Sequence, residues 1–206
     1  MVPRRRVTVR RIARGIRTRL GVWRAVSQAR TARRQHPATI RICWDLDNTL
    51  VGSGRLLKAG LQLHEAVVDA KPVPNMLAFF EAMRRRLPEA EHFILSARPS
   101  GMRADTLAWL EEHGLALSGG AVCLVPSAEA KRRVWQQLAR DAQLVIVDDL
   151  SHGHEGDEAV VYEELAAFAR GTASVYVGLN EIARIEADPD AVQSVAERAA
   201  HALATG

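Results

Sequence analysis

The chain has 206 residues, enough for one α/β domain with a full core and an additional segment. Hydrophobic residues make up 48% and charged residues 25%, as is ordinary for a soluble globular protein. No apolar run approaches the roughly 20 residues that a bilayer-spanning helix needs, and no secretory signal follows the basic start. The two cysteines, Cys43 and Cys123, lie in short apolar runs and are expected to be buried thiols. We therefore expect a cytoplasmic protein with no transmembrane segment.

Positive charge is concentrated at the N-terminus. Thirteen of the 28 basic residues, all arginines, lie within the first 41 positions, and no acid precedes Asp45. The other 15 basic residues stand against 24 acids, a formal charge of −9. The sequence therefore predicts a basic helical arm over residues 1–37 and an acidic folded domain over residues 38–206.

The arm has the periodicity of an amphipathic helix, and His36-Pro37 ends the pattern. Its partner is left open by the sequence. Residues 1–35 could bind nucleic acid or an anionic lipid surface, or pack on a second subunit of a homodimer. The predicted apolar stripe consists of Val9, Ile12, Ile16, Leu20 and Trp23.

After the arm, strands and helices alternate along the chain. We predict strands at 39–45, 92–96, 121–125, 143–148 and 174–178, and helices at 55–70, 75–86, 101–113, 128–140, 158–170 and 188–204. Strands separated by helices indicate parallel βαβ units, and short apolar strands indicate a sheet that is covered on both faces. The predicted fold is α/β: a Rossmann-like three-layer sandwich with a parallel sheet of about five strands, plus the N-terminal basic helix.

Three of the predicted strands end in polar residues. The ends are Asp45-Leu46-Asp47, Ser96-Ala97-Arg98 and Asp148-Asp149. In parallel sheets, ligands bind beyond the carboxyl ends of the strands, so these groups should meet at one edge. Four carboxylates there repel one another, and a divalent cation such as Mg²⁺, together with a lysine, would offset that repulsion.

This order of residues resembles the haloacid dehalogenase superfamily of phosphohydrolases. The resemblance covers about residues 40–178. The family's four motifs are a strand ending Asp-x-Asp-x-Thr, a strand ending in Ser or Thr, a lone lysine, and a strand ending in paired acids. They are matched in order by residues 45–49, 93–96, Lys131 and 145–149.

The resemblance implies a role for each matched residue in catalysis. Asp45 would attack phosphorus and form an aspartyl-phosphate. Asp47 would be the general acid for the leaving oxygen and then the base for water. Ser96 would donate a hydrogen bond to the phosphoryl oxygens, and Lys131 would offset negative charge on Asp45 and the phosphate.

The resemblance also implies a metal site and substrate contacts. Asp148 would hold Mg²⁺ together with Asp45 and the carbonyl group of Asp47, and Asp149 would be a direct or water-mediated ligand. The substrate-binding candidates beside these groups are Thr49, Ala97 and Arg98.

The implied activity is that of a Mg²⁺-dependent phosphomonoesterase with a nearly capless, open site. Its substrate would be a small phosphorylated molecule such as a nucleotide, or a nucleic-acid end. The alternative is a catalytically idle protein of the same fold that docks through its basic arm on nucleic acid, anionic lipid or a protein partner. The loop from His152 to Asp157 is open between a plain loop, a substrate contact and a metal site.

Overall fold

A computed structural model describes residues 5–35, 38–53, 70–115, 117, 122–152 and 160–205, and for residues 5–17 it describes the helical backbone alone. Five parallel strands form the central sheet in the order β3-β2-β1-β4-β7. The predicted α/β class is confirmed. The strands are β1 (Ile40–Trp44), β2 (Glu91–Ser96), β3 (Val122–Leu124), β4 (Gln143–Val147), β5 (Ser151–His152), β6 (Val160–Val161) and β7 (Val175–Val177).

Helices cover both faces of the sheet, which gives the three layers of the sandwich. The second, third and fourth helices of the chain correspond to the predicted helices 75–86, 101–113 and 128–140, with small shifts at their ends. The described helices are α1 (Arg5–Gln35), α2 (Pro74–Arg86), α3 (Arg103–Glu112), α4 (Lys131–Leu138), α5 (Glu163–Thr172), α6 (Leu179–Ala187) and α7 (Pro189–Thr205). The predicted helix at 55–70 lies, except for its last residue, outside the described residues.

Successive residues of each central strand belong to opposite faces. Ile42 and Trp44 of β1 pack with α2, α3, α6 and α7, whereas Cys43 packs with α1, α4 and α5. All of these side chains are buried, which is why the strands are continuously apolar in sequence. Cys43 and Cys123 are buried free thiols on the same face, as expected.

α1 packs on the sheet through alanines. Ala25, Ala29 and Ala32 are buried in the core of the α4 and α5 face, whereas Leu20 and Trp23 are 52% and 66% exposed. Leu20 and Trp23 of the predicted apolar stripe therefore lie outside this core, and packing of the stripe on a partner stays a prediction. Alanine lets the helix approach β3 so closely that the Cys123 thiol lies 3.6 Å from the Ala25 carbonyl oxygen. A division of the chain at residue 37 stays a prediction, but part of α1 contributes to the core.

Three local features differ from the predicted elements. Val160–Val161 pairs antiparallel with Ser151–His152, so the helix expected from residue 158 begins at Glu163. The last predicted helix is preceded by α6, and Asp188 separates the two helices. The carboxylate of Asp188 accepts a hydrogen bond of 2.9 Å from the backbone N–H of Asp190, which suits a new helix start. Within the described part of the chain, no helix is long and apolar enough to cross a membrane.

Candidate active site

The sheet register brings the polar strand ends together. β1 lies between β2 and β4, and Trp44 is paired with Ile94 on one side and Val147 on the other. The backbone N–H of Asp45 donates to the Val147 carbonyl at 2.9 Å, so Asp45 and Asp148 leave the sheet at the same level. The carboxyl edge of β1, β2 and β4 is thus one continuous site.

Lys131 joins two of the carboxylates. Its Nζ lies 2.9 Å from Asp45 Oδ1 and 2.7 Å from Asp148 Oδ2, and all three residues are buried. Lys131 is the first residue of α4, which therefore aims its ammonium group at the ends of β1 and β4. The ion pairs offset the cost of removing three charges from water.

Arg98 holds a third carboxylate, that of Asp47. Its Nε and Nη2 donate to the two carboxylate oxygens of Asp47 at 2.8 Å each, which is a bidentate ion pair. Nη1 donates to the Thr106 hydroxyl at 3.3 Å, and the arginine is 1% exposed. The Ser96 hydroxyl also donates to Asp47, at 3.2 Å. Asp47 is therefore bound by residues at the end of β2 and just after it, and not by Lys131.

Asp149 completes the acidic group. Its carboxylate accepts hydrogen bonds from the hydroxyls of Ser151 and, at 3.4 Å, Thr49. Asp45, Asp148 and Asp149 each offer an oxygen, and these oxygens lie within 4.8 Å of one another. Such a set of hard carboxylate ligands could hold a metal ion.

The site shifts the pKa values of its carboxyls in opposite directions. Burial, and then the charge of Asp148, raises the pKa of Asp45 well above its ordinary value, although Lys131 opposes the shift. Burial likewise raises the pKa of Asp148 to about 6 against the pull of Lys131. Burial would also raise the pKa of Asp47, but the hydrogen bonds and charge of Arg98 outweigh it and leave that pKa lowered. The site therefore makes Asp45 and Asp148 harder to ionise, and Asp47 easier, than an ordinary aspartate.

Two non-glycine residues beside the acids adopt the left-handed conformation. Asn48 has φ 61° and Leu150 has φ 48°. Asparagine tolerates this region, but leucine there is an outlier that the surroundings must hold. The backbone N–H of Leu150 donates to Asp148 Oδ1 at 3.1 Å, and its carbonyl accepts from Tyr162 at 2.8 Å. The strained turn thus fixes one oxygen of Asp148.

The predicted substrate contacts occupy different environments. Ala97 is exposed beside the site, whereas Thr49 is buried and contacts Asp149. Arg98, predicted to contact substrate, contacts Asp47 in this structure. His152 stacks on Tyr162 with ring centroids 4.3 Å apart, and the loop residues 153–159 lie outside the described residues.

Two supporting residues had no signal in the sequence. Thr106 contacts Arg98 from α3, and the Tyr176 hydroxyl donates to the Asp148 carbonyl at 3.1 Å. Both contacts depend on how α3 and β7 pack, which no local spacing encodes.

Comparisons with known proteins add no assignment. No known family matches the chain, and neither a curated protein nor a solved structure matches it. Function must therefore be argued from the site alone.

Proposed function

We propose that this chain is a Mg²⁺-dependent phosphomonoesterase of the haloacid dehalogenase type, acting through an aspartyl-phosphate on Asp45. One observation carries the proposal: two buried cations divide three of the four carboxylates at one sheet edge between them. Lys131 pairs with Asp45 and Asp148, and Arg98 pairs with Asp47. This division gives the two aspartates of Asp45-Leu46-Asp47 different electrostatic surroundings and hence different chemical roles.

The charge balance supports a divalent cation. With all four carboxylates ionised, the two cations that contact them leave a formal charge of −2. Burial makes such an excess costly, which is why the pKa values of Asp45 and Asp148 are raised. Asp45, Asp148 and Asp149 would hold the ion. Bound there, Mg²⁺ supplies positive charge that lowers the carboxyl pKa values and attracts the anionic phosphoryl group.

Asp45 is the proposed nucleophile. Its carboxylate oxygen forms a bond to phosphorus, and the bond from phosphorus to the leaving oxygen breaks. Lys131 Nζ, 2.9 Å from Asp45 Oδ1, keeps positive charge beside the reacting carboxylate. In the second step water attacks the same phosphorus, the bond to Asp45 breaks, and inorganic phosphate leaves with the carboxylate restored.

Asp47 is the proposed proton carrier. It gives a proton to the leaving oxygen in the first step and takes one from water in the second. In the free protein Arg98 holds Asp47 as a carboxylate, which suits only the second role. The first role requires the bidentate pair to loosen when substrate binds. An anionic phosphoryl group beside Ser96 would compete with Asp47 for Arg98 and so provide the force.

Asp45→Asn tests the proposal. The variant should lose hydrolysis of p-nitrophenyl phosphate by at least about a thousandfold, because an amide oxygen is a poor nucleophile. The wild type should also acquire a hydroxylamine-sensitive ³²P label from a labelled substrate, and the variant should not. Asp190→Asn, which changes an exposed acid in α7, is the matched control. Wild-type turnover in Asp45→Asn would contradict covalent catalysis.

The alternative is an idle binding protein that uses α1. The exposed Trp23 on a helix rich in arginine favours a binding surface, but it does not exclude turnover. The two functions differ in whether any phosphate ester is hydrolysed in a Mg²⁺-dependent manner.

A further inference from the structure

A groove lies at the outer side of β3, apart from the acidic site. Its volume is about 380 Å³, in the lower part of the range of small-molecule pockets. One wall comes from α1 and the other from the start of α3. The groove is lined by Trp23, Arg24, Ser27, Gln28, Thr31, Ala32 and Arg103. Hereafter these residues are the α1 groove.

The α1 groove has the chemistry of a nucleotide-binding surface. Trp23 is 66% exposed, so its indole face is available for stacking. Arg24 is exposed beside it, and Arg103 is held in place because its Nη1 donates to the Val122 carbonyl at 2.7 Å. An aromatic face flanked by guanidinium groups is the arrangement that holds an unpaired base and its phosphates.

α1 runs antiparallel to the strands and reaches the catalytic edge. Near its C-terminus, Arg33 lies 3.6 Å from Asp141, just before β4 begins. Twelve residues earlier, a Cβ on Gly21 would lie 3.5 Å from Pro126, just beyond the carboxyl end of β3. The backbone N–H of Val125 donates to the Ser96 carbonyl at 2.9 Å, so this end of α1 is level with the acidic site.

The helix continues past that edge. Residues 5–20 add about 24 Å of helix at about 1.5 Å per residue, and they contain seven arginines and no acid. The strand order places β3 two strands from β1, or about 10 Å. Roughly three stacked nucleotides cover that distance. A basic helix and the α1 groove therefore flank the side from which a polyanion would approach Asp45.

We propose that the α1 groove binds single-stranded nucleic acid and that the bound strand presents its terminal phosphate to the acidic site. The binding stands on the groove itself, whereas the delivery of the phosphate rests on the proposed function. An unpaired strand is favoured over a duplex because stacking on Trp23 needs an exposed base face. An anionic membrane is disfavoured because the groove is concave and one of its walls is α3, where Arg103 is held by the Val122 carbonyl, whereas an interfacial helix lies flat on the bilayer.

Fluorescence anisotropy with a labelled single-stranded oligonucleotide that lacks a terminal phosphate tests the binding. The full chain is used without Mg²⁺, so turnover plays no part. Affinity should fall steeply between 50 and 200 mM salt. Trp23→Ala should weaken binding at least fivefold with an unchanged salt slope, which is the loss expected from one base–aromatic stack. Arg24→Gln should weaken it and lower the salt slope by about one.

Matched controls change exposed residues outside the lining of the α1 groove. Leu107→Ala removes an exposed apolar side chain of α3, and Arg85→Gln removes an exposed arginine of α2. Both should bind within twofold of the wild type. Trp23→Ala affinity within twofold of the wild type overturns the proposal. So does Trp23-dependent binding that is as tight for a duplex, or for phosphatidylserine vesicles, as for the single strand.

Catalysis then tests the delivery of the phosphate. Trp23→Ala should lower kcat/KM for an end-phosphorylated oligonucleotide at least fivefold relative to its kcat/KM for p-nitrophenyl phosphate. An unchanged ratio overturns delivery and leaves the binding result in place. Oligonucleotide binding in a protein that hydrolyses neither substrate refutes the proposed function and the delivery, but not the α1 groove.

Discussion

Asp47 and Arg98 show how one contact sets the chemistry of a residue. The bidentate pair and the buried position of Arg98 hold Asp47 as a carboxylate in the free protein. A proton donor matters most when the leaving oxygen is strongly basic. The proposed role of Asp47 can therefore be tested with leaving groups of different basicity.

Asp47→Asn should lower kcat/KM for an alkyl phosphate by at least about a hundredfold and that for p-nitrophenyl phosphate much less, because kcat/KM reports formation of the aspartyl-phosphate and nitrophenolate leaves without a proton. Arg98→Lys keeps a positive charge but loses the two N–H groups that donate to the two carboxylate oxygens of Asp47. It should weaken the hold on Asp47 and therefore change kcat/KM for the alkyl phosphate more than that for p-nitrophenyl phosphate. Equal losses for the two esters in Asp47→Asn would show that Asp47 is not the proton donor.

The raised pKa of Asp148 links the proposed metal binding to pH. Its pKa is about 6 without metal, and a ligand must lose its proton before it binds a cation. Mg²⁺ should therefore raise the melting temperature more at pH 7.5 than at pH 5.5, because protons compete at the lower pH. Differential scanning fluorimetry measures both shifts. Asp148→Asn should lose most of the response and Asp190→Asn should keep it, whereas a full response in Asp148→Asn would place the ion elsewhere.

The surroundings of His92 predict that acid destabilises the fold, independently of the acidic site. Trp44 Nε1 donates to His92 Nδ1 at 3.0 Å, so the bonded nitrogen must stay unprotonated. Burial, and then Arg84, lowers the His92 pKa to about 4 from its ordinary 6.5. The unfolded chain therefore binds a proton first as pH falls through 6.5. The stability contributed by neutral His92 is present above that pH and is lost progressively towards pH 4.

Urea unfolding at two pH values checks the expectation. The wild type should lose about 1 kcal/mol more unfolding free energy between pH 7 and pH 5.5 than His92→Gln. Glutamine can still accept the indole hydrogen bond but does not titrate. Parallel losses in the two proteins would show that His92 does not carry this pH dependence.

At the scale of elements, α1 combines two roles. The C-terminal half packs on the sheet through Ala25, Ala29 and Ala32, and the N-terminal half extends past the carboxyl edge. Deleting residues 1–17 should leave the melting temperature within a few degrees of the wild type. Deleting residues 1–35 should lower it by about 10 °C or more, because each kcal/mol lost is worth about 2–4 °C in a domain of this size and a core face becomes exposed.

Two substitutions test the packing of α1 on the sheet without shortening the helix. Ala29→Gln forces a polar side chain into the core and should lower the melting temperature, whereas Arg34→Gln changes an exposed position and should not. Equal melting temperatures for the wild type, Ala29→Gln and the deletion of residues 1–35 would mean that α1 is separable from the rest of the chain.

At the scale of the whole molecule, the hydrophobic pattern was enough to predict the parallel sheet and the edge where the acids meet. The alanine face of α1 was not predicted, because periodicity gives most weight to large apolar residues, whereas close packing of a helix on β3 selects alanine. β5 and β6 have two residues each, too few to show any period. Both Arg98 and Asp47 were predicted as site residues. Their ion pair was not, because it depends on the conformation of the turn after β1.

The contrast between Trp23 and the other tryptophans has an optical consequence. Trp44, Trp109 and Trp135 are at most 3% exposed, whereas Trp23 is two-thirds exposed. Iodide or acrylamide should therefore quench the emission of Trp23 selectively, and excitation at the red edge should favour it over the three shielded indoles. The α1 groove carries its own fluorophore, and an occupant can be followed in the native, unlabelled chain.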